Sequence, residues 1–302
     1  MLDVSVRIGV AAGRIAGFKR LLRDDTSMRR KANNMGSGIN SNTPKGMNMS
    51  LAEMSRKPGG LVMGWCSSGS ALLGEAMAAA GFAALTVDLQ HGVQDFADAL
   101  RVLQAVDGRG VPAMCRVPWN EPGIVMKALD AGFEGVICPM INDRADAQRL
   151  ASFCHYPPHG RRSFGPHRAK IAFGGDYVEK AWERMVILPM VETEEGLQNV
   201  DEILSTPGIS GVYVGPNDLA LALGHPALAT PCEPVQQAIM HILARTRSAG
   251  KICGIACSSA QMVADMLRAG FHIATLQNDL QLFLYGMNQQ LAEVKERRLA
   301  EG

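Results

Sequence analysis

Ala84-Leu-Thr-Val-Asp-Leu-Gln-His91 is the stretch on which the reading of this 302-residue chain turns. Ala84 to Val87 is an apolar, partly β-branched run of the kind that forms a buried strand. It ends on Asp88, and His91 follows within one turn. Burying an acid at a strand end without partners costs about 2–7 kcal/mol, so the surrounding fold must supply them. An acid and an imidazole leaving one strand end together are the beginning of a proton-transfer site.

The same arrangement recurs outward from this stretch. Ala-Gly-Phe occurs at 80–82, 131–133 and 269–271, each time after a helical pattern and before an apolar run. The glycine suits the left-handed residue that closes a helix, and three copies of one local device argue for a repeated αβ unit. Apolar runs bounded by turn residues predict eight strands, at 61–66, 84–88, 111–116, 135–139, 186–192, 211–215, 251–256 and 272–277. Helical patterns lie between them, at 70–80, 95–106, 121–130, 143–153, 194–204, 232–248 and 258–269. This is the content of an α/β (β/α)8 TIM barrel, which takes about 250 residues. A doubly wound sheet is the alternative, but no GxGxxG follows the first strand. An extra C-terminal helix from Asp279 to Ala300 carries Leu280, Phe283, Leu284, Met287, Leu291 and Val294 along its length. So much apolar surface closes the barrel or packs on, or swaps with, a partner subunit. Residues 154–185 form one long irregular insert with the character of a lid or binding loop.

In such a barrel the active site gathers at the C-terminal strand ends. Those positions carry Asp88 with His91, then Arg116, Pro139, Glu192, Asp218, Cys257 and Gln277. Glu192 and Asp218 lie one βα unit apart, so their carboxylates fall on adjacent strands. A carboxylate pair with an open remaining sphere suits Mg²⁺ or Mn²⁺. The competing reading makes both residues acids at helix N-termini. Arg116 either grips a carboxylate and a developing enolate or balances the charge of Asp88 or Glu192. His91 by itself reads as readily as a hydrogen-bonding histidine; beside Asp88 and a metal, the reading as a base gains weight.

Composition places few limits beyond these. The chain is 47% hydrophobic and 20% charged, with a net charge of +1, which gives no argument for nucleic acid or membrane partners. Residues 1–60 hold eleven Lys and Arg against four Asp and Glu. The stretch 1–57 reads as a basic, disordered leader ahead of a barrel over 58–302, its composition that of a transit peptide or of sequence upstream of a start at Met47 or Met49. Seven cysteines without a CxxC pair read as reduced thiols in a cytoplasmic protein. Cys253 and Cys257 share a strand face, but two thiolates make a poor metal site.

Several stretches together resemble the metal-dependent pyruvate aldolases typified by 4-hydroxy-2-oxoheptanedioate aldolase and 2-dehydro-3-deoxyglucarate aldolase. They are Gly81-Phe82, Val87-Asp-Leu-Gln-His-Gly92, Arg116-Val-Pro-Trp-Asn120, Leu129-Asp-Ala-Gly132, Pro139-Met140, Tyr156-Pro-Pro, Gly160-Arg161, Val191-Glu-Thr193 and Gly215-Pro-Asn-Asp-Leu219. The resemblance spans about residues 60–285 and implies a (β/α)8 barrel, a divalent cation (Mg²⁺, Mn²⁺ or Co²⁺) and a bound pyruvate enolate. It implies Glu192 and Asp218 as metal ligands, His91 as general base, Arg116 as enolate stabiliser and Asp130 as the residue that raises the basicity of His91. Asn217 falls at a substrate contact beside Asp218. It further implies a homo-oligomer, commonly a hexamer exchanging its last helix. Two departures bear on the substrate-binding wall: Gln90 stands where the family usually has Glu, and Met190 where its best-known members have a substrate-facing Gln. Pro189 also removes a ladder donor from its strand. The reaction so implied is cleavage of a 4-hydroxy-2-oxo acid to pyruvate and an aldehyde. A related lyase acting on an acyl-CoA ester, with Arg161, Arg162 and Arg168 on the nucleotide phosphates, is the second reading. A degenerate barrel that binds a keto acid without turnover is the third.

Overall fold

The computed structural model describes residues 49–300. The predicted leader falls mainly outside that range, but its boundary at residue 57 needs correction. Ser50 and Glu53 form a reciprocal capping box at the start of α1 (Leu51–Met54). The α1 side chains Leu51 and Ala52 are 0% and 3% exposed and belong to the cluster that fills the barrel. The Leu51 N–H donates to Glu134 Oε2 at 3.0 Å. This short helix is thus part of the domain, closing the barrel at its N-terminal end.

From there strands and helices alternate: β1 (Leu61–Cys66), α2 (Ala71–Ala80), β2 (Ala84–Asp88), α3 (Phe96–Asp107), β3 (Ala113–Arg116) and α4 (Pro122–Ala131). Next come β4 (Gly135–Cys138), α5 (Arg144–Cys154), α6 (His167–Phe173), α7 (Tyr177–Arg184) and β5 (Val186–Val191). The chain continues through α8 (Glu194–Gln198), α9 (Val200–Ser205), β6 (Gly211–Val214), α10 (Pro216–Ala222) and α11 (Glu233–Ser248). It ends with β7 (Ile252–Ala256), α12 (Ala260–Ala269), β8 (Ile273–Asn278) and α13 (Asp279–Ala300). The strands pair in parallel in chain order, and β8 returns to β1, so the sheet closes into the predicted (β/α)8 barrel. Gly81, Gly132 and Gly270 close their helices at φ of 104°, 99° and 107°, which is the shared work of the three Ala-Gly-Phe repeats.

Alternation along each strand sorts side chains into two cores. Met63, Trp65, Ala84, Met114, Ile137, Leu188, Met190 and Tyr213 fill the barrel interior. Leu85, Val87, Cys115, Val136, Ile187, Val212 and Cys253 face outward under the helices. The predicted helix at 194–204 is divided at Asn199, whose side chain donates to the Asn142 carbonyl at 3.0 Å, and α10 is a helix the periodicity did not mark.

The insert over 154–185 is not a lid. It joins the end of α5 to the beginning of β5, so it lies on the N-terminal face, remote from the strand ends that carry the chemistry. There it folds into α6 and α7. Arg162, with a side chain 0% exposed, donates to Asp130 at 2.6 Å and to Tyr177 Oη at 3.1 Å. Arg168 donates to Asp107 at 2.6 Å and to the Ala131 carbonyl at 2.5 Å. These arginines anchor the insert to the ends of α3 and α4, and a nucleotide at the opposite mouth cannot reach them.

No described helix is long and apolar enough to cross a membrane. Along α13 only Asp279 is buried, and Phe283, Leu284, Leu291 and Val294 are each more than half exposed. Replacing Leu51 with Ala is expected to lower stability by about 2–5 kcal/mol, the usual cost of hollowing a packed core site. Urea unfolding measures it, and a variant indistinguishable from wild type would remove α1 from the core.

Candidate active site

Parallel pairing sets Asp88 and Arg116 side by side on β2 and β3, both facing inward at the C-terminal mouth. Arg116 Nε donates to Asp88 Oδ1 at 2.8 Å and Nη2 donates to Oδ2 at 2.6 Å. Trp65 Nε1 donates to the same Oδ2 at 3.2 Å, and the Gln90 and His91 backbone N–H groups reach Oδ1 at 3.0 and 3.3 Å. Asp88 is 1% exposed. Burial pushes its pKa upward, but the hydrogen bonds and charge of Arg116 outweigh burial and leave it below the ordinary carboxylate range. An ionised carboxylate with its oxygens filled has no proton to exchange. Asp88 is therefore a positioning residue, a correction to its expected place in proton transfer. Arg116 is likewise the ion-pair partner of Asp88. A guanidinium has five N–H donors, however, and Arg116 keeps the rest of its own at the cavity wall.

Glu192 follows β5 directly and is 3% exposed. Its Oε1 accepts the Met140 N–H at 2.8 Å. Met140 adopts φ 55°, a left-handed conformation that costs a non-glycine residue about 1–2 kcal/mol, and this turn presents its N–H to Glu192. Burial pushes the Glu192 pKa up and the Asp218 charge adds to it, against the Met140 hydrogen bond, to about 7. A nearby cation would favour its charged form. Gly215 makes room for that carboxylate: a Cβ there would stand 2.5 Å from Glu192 Oε2.

Asp218 is exposed in the first turn of α10. The alternative reading of the two acids holds for Asp218, an N-terminal acid in the first turn of α10, but neither acid is a side-chain cap. Thr193 caps α8, accepting the Gly196 N–H at 3.0 Å, and α10 starts at Gly215 with no side-chain cap. Neither carboxylate caps a helix, and Glu192 has its Oε1 on the Met140 N–H. Among the described residues no group of three or more His, Cys, Asp and Glu side chains gathers around a metal-sized site. The protein itself therefore offers two oxygen-ligand residues, a donor set that fits Mg²⁺ or Mn²⁺ with water and substrate completing the sphere. Cys253 lies under the helices with its pKa pushed up to about 12 by burial, while Cys257 reaches the mouth with a thiol also raised to about 12. Both stay protonated, and no thiolate pair forms.

A cavity of ≈ 490 Å³ opens at this mouth, lined by His91, Arg116, Met190, Asn217, Asp218, Cys257 and Gln277 among others. Its floor was not marked by the sequence. Trp65 and Tyr213 pack there with ring centroids 5.8 Å apart, and Tyr213 Oη donates to Thr275 Oγ1 at 2.6 Å. Strand-end position was the one available signal for Trp65, Met140 was marked only by its place in the Pro139-Met140 resemblance, and Tyr213 offered none. Glu192 lies beneath this lining. Pro139 is not part of it, and neither is Gln90, whose Oε1 is buried with no hydrogen-bond partner among the described residues. Asp130 is further removed. It ends α4 at the N-terminal face, paired with Arg162, and cannot act on the His91 of its own chain.

The Asp88–Arg116 pair yields a pH test. A carboxylate whose folded pKa is depressed contributes stability above its unfolded value, about 3.9, and loses it as pH falls through the folded one. Asp88→Asn strands a buried guanidinium and is expected to cost about 3–5 kcal/mol at pH 7. The gap from wild type should persist down to about pH 4 and narrow only below it. Chemical denaturation across that range measures it, and closure of the gap by mid-range pH would show that Arg116 does not hold Asp88 ionised.

Comparison with known proteins agrees with this geometry. Residues 61–285 match the family described as HpcH/HpaI aldolase/citrate lyase. A hydroxypyruvate/pyruvate aldolase of Rhizorhabdus wittichii is 42% identical over 233 residues, covering 77% of this chain and 93% of its own. A 5-keto-4-deoxy-D-glucarate aldolase of Salmonella arizonae is 35% identical over 233 residues, covering 76% and 90%. The crystal structure of a family protein from Burkholderia cenocepacia superimposes with a TM-score of 0.76 at 30% identity, covering 81% of this chain and 98% of its own. The barrel, the mouth and these matches together make the chain a member of the HpcH/HpaI aldolase/citrate lyase family, and an aldehyde-lyase within it.

Proposed function

We propose that this aldolase depends on a divalent cation and reversibly cleaves a 4-hydroxy-2-oxo acid to pyruvate and an aldehyde. One observation carries the reading: Asp218 lines the mouth with Arg116 and His91, and Glu192 lies behind that lining with its Oε2 against Gly215, neither acid serving as a side-chain helix cap. The name of the Rhizorhabdus relative adds hydroxypyruvate as a second donor. Bound between Glu192 and Asp218, Mg²⁺, Mn²⁺ or Co²⁺ would supply Lewis-acid polarisation of the 2-oxo group.

The remaining work falls to side chains. Arg116, aligned by Asp88, holds the negative charge that builds on the keto-acid oxygen as the C3–C4 bond breaks; such contacts are worth about 2.7–4 kcal/mol. His91 takes the C4 hydroxyl proton in cleavage and returns it in condensation. Asn217 contacts the keto acid beside Asp218. Met190 makes that wall of the pocket less polar than an amide would. Any action of Asp130 on a His91 must come from a neighbouring copy, because the barrel separates the two within one chain. The apolar length of α13 supports such an assembly, a hexamer exchanging its last helix. The free, buried thiols agree with a cytoplasmic enzyme. The acyl-CoA reading loses its support with Arg162 and Arg168 spent on the N-terminal face.

Two measurements test the assignment. Glu192→Gln and Asp218→Asn should weaken Mg²⁺ or Mn²⁺ binding in calorimetry and abolish aldol cleavage, because neutral amides are poorer ligands for hard cations. Full activity of EDTA-stripped protein would refute the metal. His91→Ala should keep metal and pyruvate binding while losing about 10²–10⁴-fold in kcat, the usual contribution of a general base. Loss of metal binding in that variant would instead make His91 a ligand.

A further inference from the structure

His91 is placed by its backbone. The residue is exposed, and among the described residues no hydrogen bond holds its ring. The position of the imidazole therefore follows the turn of Leu89 to Gln94 that leaves the end of β2, and two sets of contacts hold that turn. In the first, Asp88 Oδ1 accepts the Gln90 and His91 backbone N–H groups. The second belongs to Gln94, a residue that no motif or strand end marks.

Gln94 is buried, and its Nε2 donates to the Cys66 carbonyl at 2.7 Å and to the Asp88 carbonyl at 2.9 Å. One amide thus bridges the ends of β1 and β2 and closes the turn onto the residue where it begins. The Val93 N–H donates to the Ser67 carbonyl at 2.9 Å, a second tie to the chain after β1. That segment is itself anchored. Buried Asp279, the first residue of α13, accepts the Ser67 N–H at 2.9 Å, the Ser68 N–H at 3.2 Å and the Ser68 hydroxyl. Packing leaves the turn little room: a Cβ on Gly92 would stand 2.2 Å from the Asp88 carbonyl oxygen and 3.0 Å from Gln94 Nε2. One on Gly69 would stand 2.9 Å from Gln94 Cβ. Gln94 Oε1, meanwhile, is buried with no hydrogen-bond partner among the described residues. An orphan acceptor of that kind costs stability, so this amide is explained by what its two donors hold in place.

We propose, resting on the aldolase reading above with His91 as its base, that Gln94 is the positioning residue of His91. Asp88 holds one end of the turn by its carboxylate, and Gln94 holds it by the Asp88 carbonyl, so the imidazole between them has one place to stand. A general base must lie within hydrogen-bond reach of the proton it takes, and a misplacement of about 1 Å can cost about 10²-fold in rate. Gln94 is not among the residues lining the mouth cavity, and it acts on the reaction only through the turn. Glu192, Asp218 and Arg116 stand on other elements, so releasing the turn leaves metal and keto acid bound and slows the proton transfer.

The test is a double-mutant cycle on the full chain with Mg²⁺, following pyruvate release from 4-hydroxy-2-oxopentanoate. Gln94→Met keeps the length of the side chain and removes both donors. It should lower kcat about 10- to 100-fold while KM and Mg²⁺ affinity stay those of wild type. In the His91→Ala background the same substitution should cost nothing further, because a base already removed cannot be misplaced. Wild-type kcat in Gln94→Met overturns the proposal. So does an equal loss with and without His91, the mark of a merely structural residue. Gly92→Ala shifts the same turn without emptying a buried site, and it decides if Gln94→Met does not fold: a loss confined to the chain that has His91 supports the proposal, and full kcat overturns it. Full activity of His91→Ala alone overturns the reading of His91 as base and the proposal with it, an outcome distinct from failure of the Gln94 variants.

Discussion

The mouth of this barrel depends on one buried ion pair. Asp88 and Arg116 meet through two parallel hydrogen bonds of 2.8 and 2.6 Å because β2 and β3 are paired in that register. The same carboxylate fixes the Trp65 indole in the cavity floor and the backbone N–H of His91. A buried pair of this kind seldom adds net stability, since desolvating both charges roughly cancels their attraction. What it provides is geometry: a guanidinium that cannot turn away, an aromatic floor beside it, and the turn that carries the imidazole. Preorganised charge is the largest single source of rate in many enzymes, and Asp88 contributes by fixing that charge.

The second constraint is the polarity of the barrel. Parallel strands send every C-terminal end to one face and every helix C-terminus to the other. Glu192, Asp218, Arg116 and His91 share the first face because each lies at or just beyond a strand end. Asp130, Asp107, Arg162 and Arg168 share the second, where they tie α6 and α7 to α3 and α4. The α1 helix seals that face with Leu51, so the charged groups there are structural. At the mouth, by contrast, neither Glu192 nor Asp218 has an ion-pair partner among the described residues, and Glu192 is held by a backbone N–H donated by a left-handed Met140. Strain of this sort persists only where the surroundings over-determine it.

The sequence by itself determined the eightfold βα order, the strand ends, the three glycine helix stops and the convergence of Asp88, His91, Arg116, Glu192 and Asp218. Those are local properties: a period-2 apolar run, a glycine with positive φ and a polar residue after a strand can each be read from a few neighbouring residues. The resemblance rested on the same residues. What only the tertiary structure decided depends on which faces meet. Asp88 reads as a proton carrier until the register of β2 and β3 fills its oxygens with Arg116. Glu192 and Asp218 read equally as caps until Thr193 and Gly215 are seen in those positions. Residues 154–185 read as a lid until the direction of the chain puts them on the N-terminal face, and 49–57 read as leader until Leu51 enters the barrel. Hydrogen-bond capacity is spent between residues distant in sequence, and strand polarity acts over the whole sheet. Neither can be read from any one stretch of chain, which is why the residue types were legible and their roles were not.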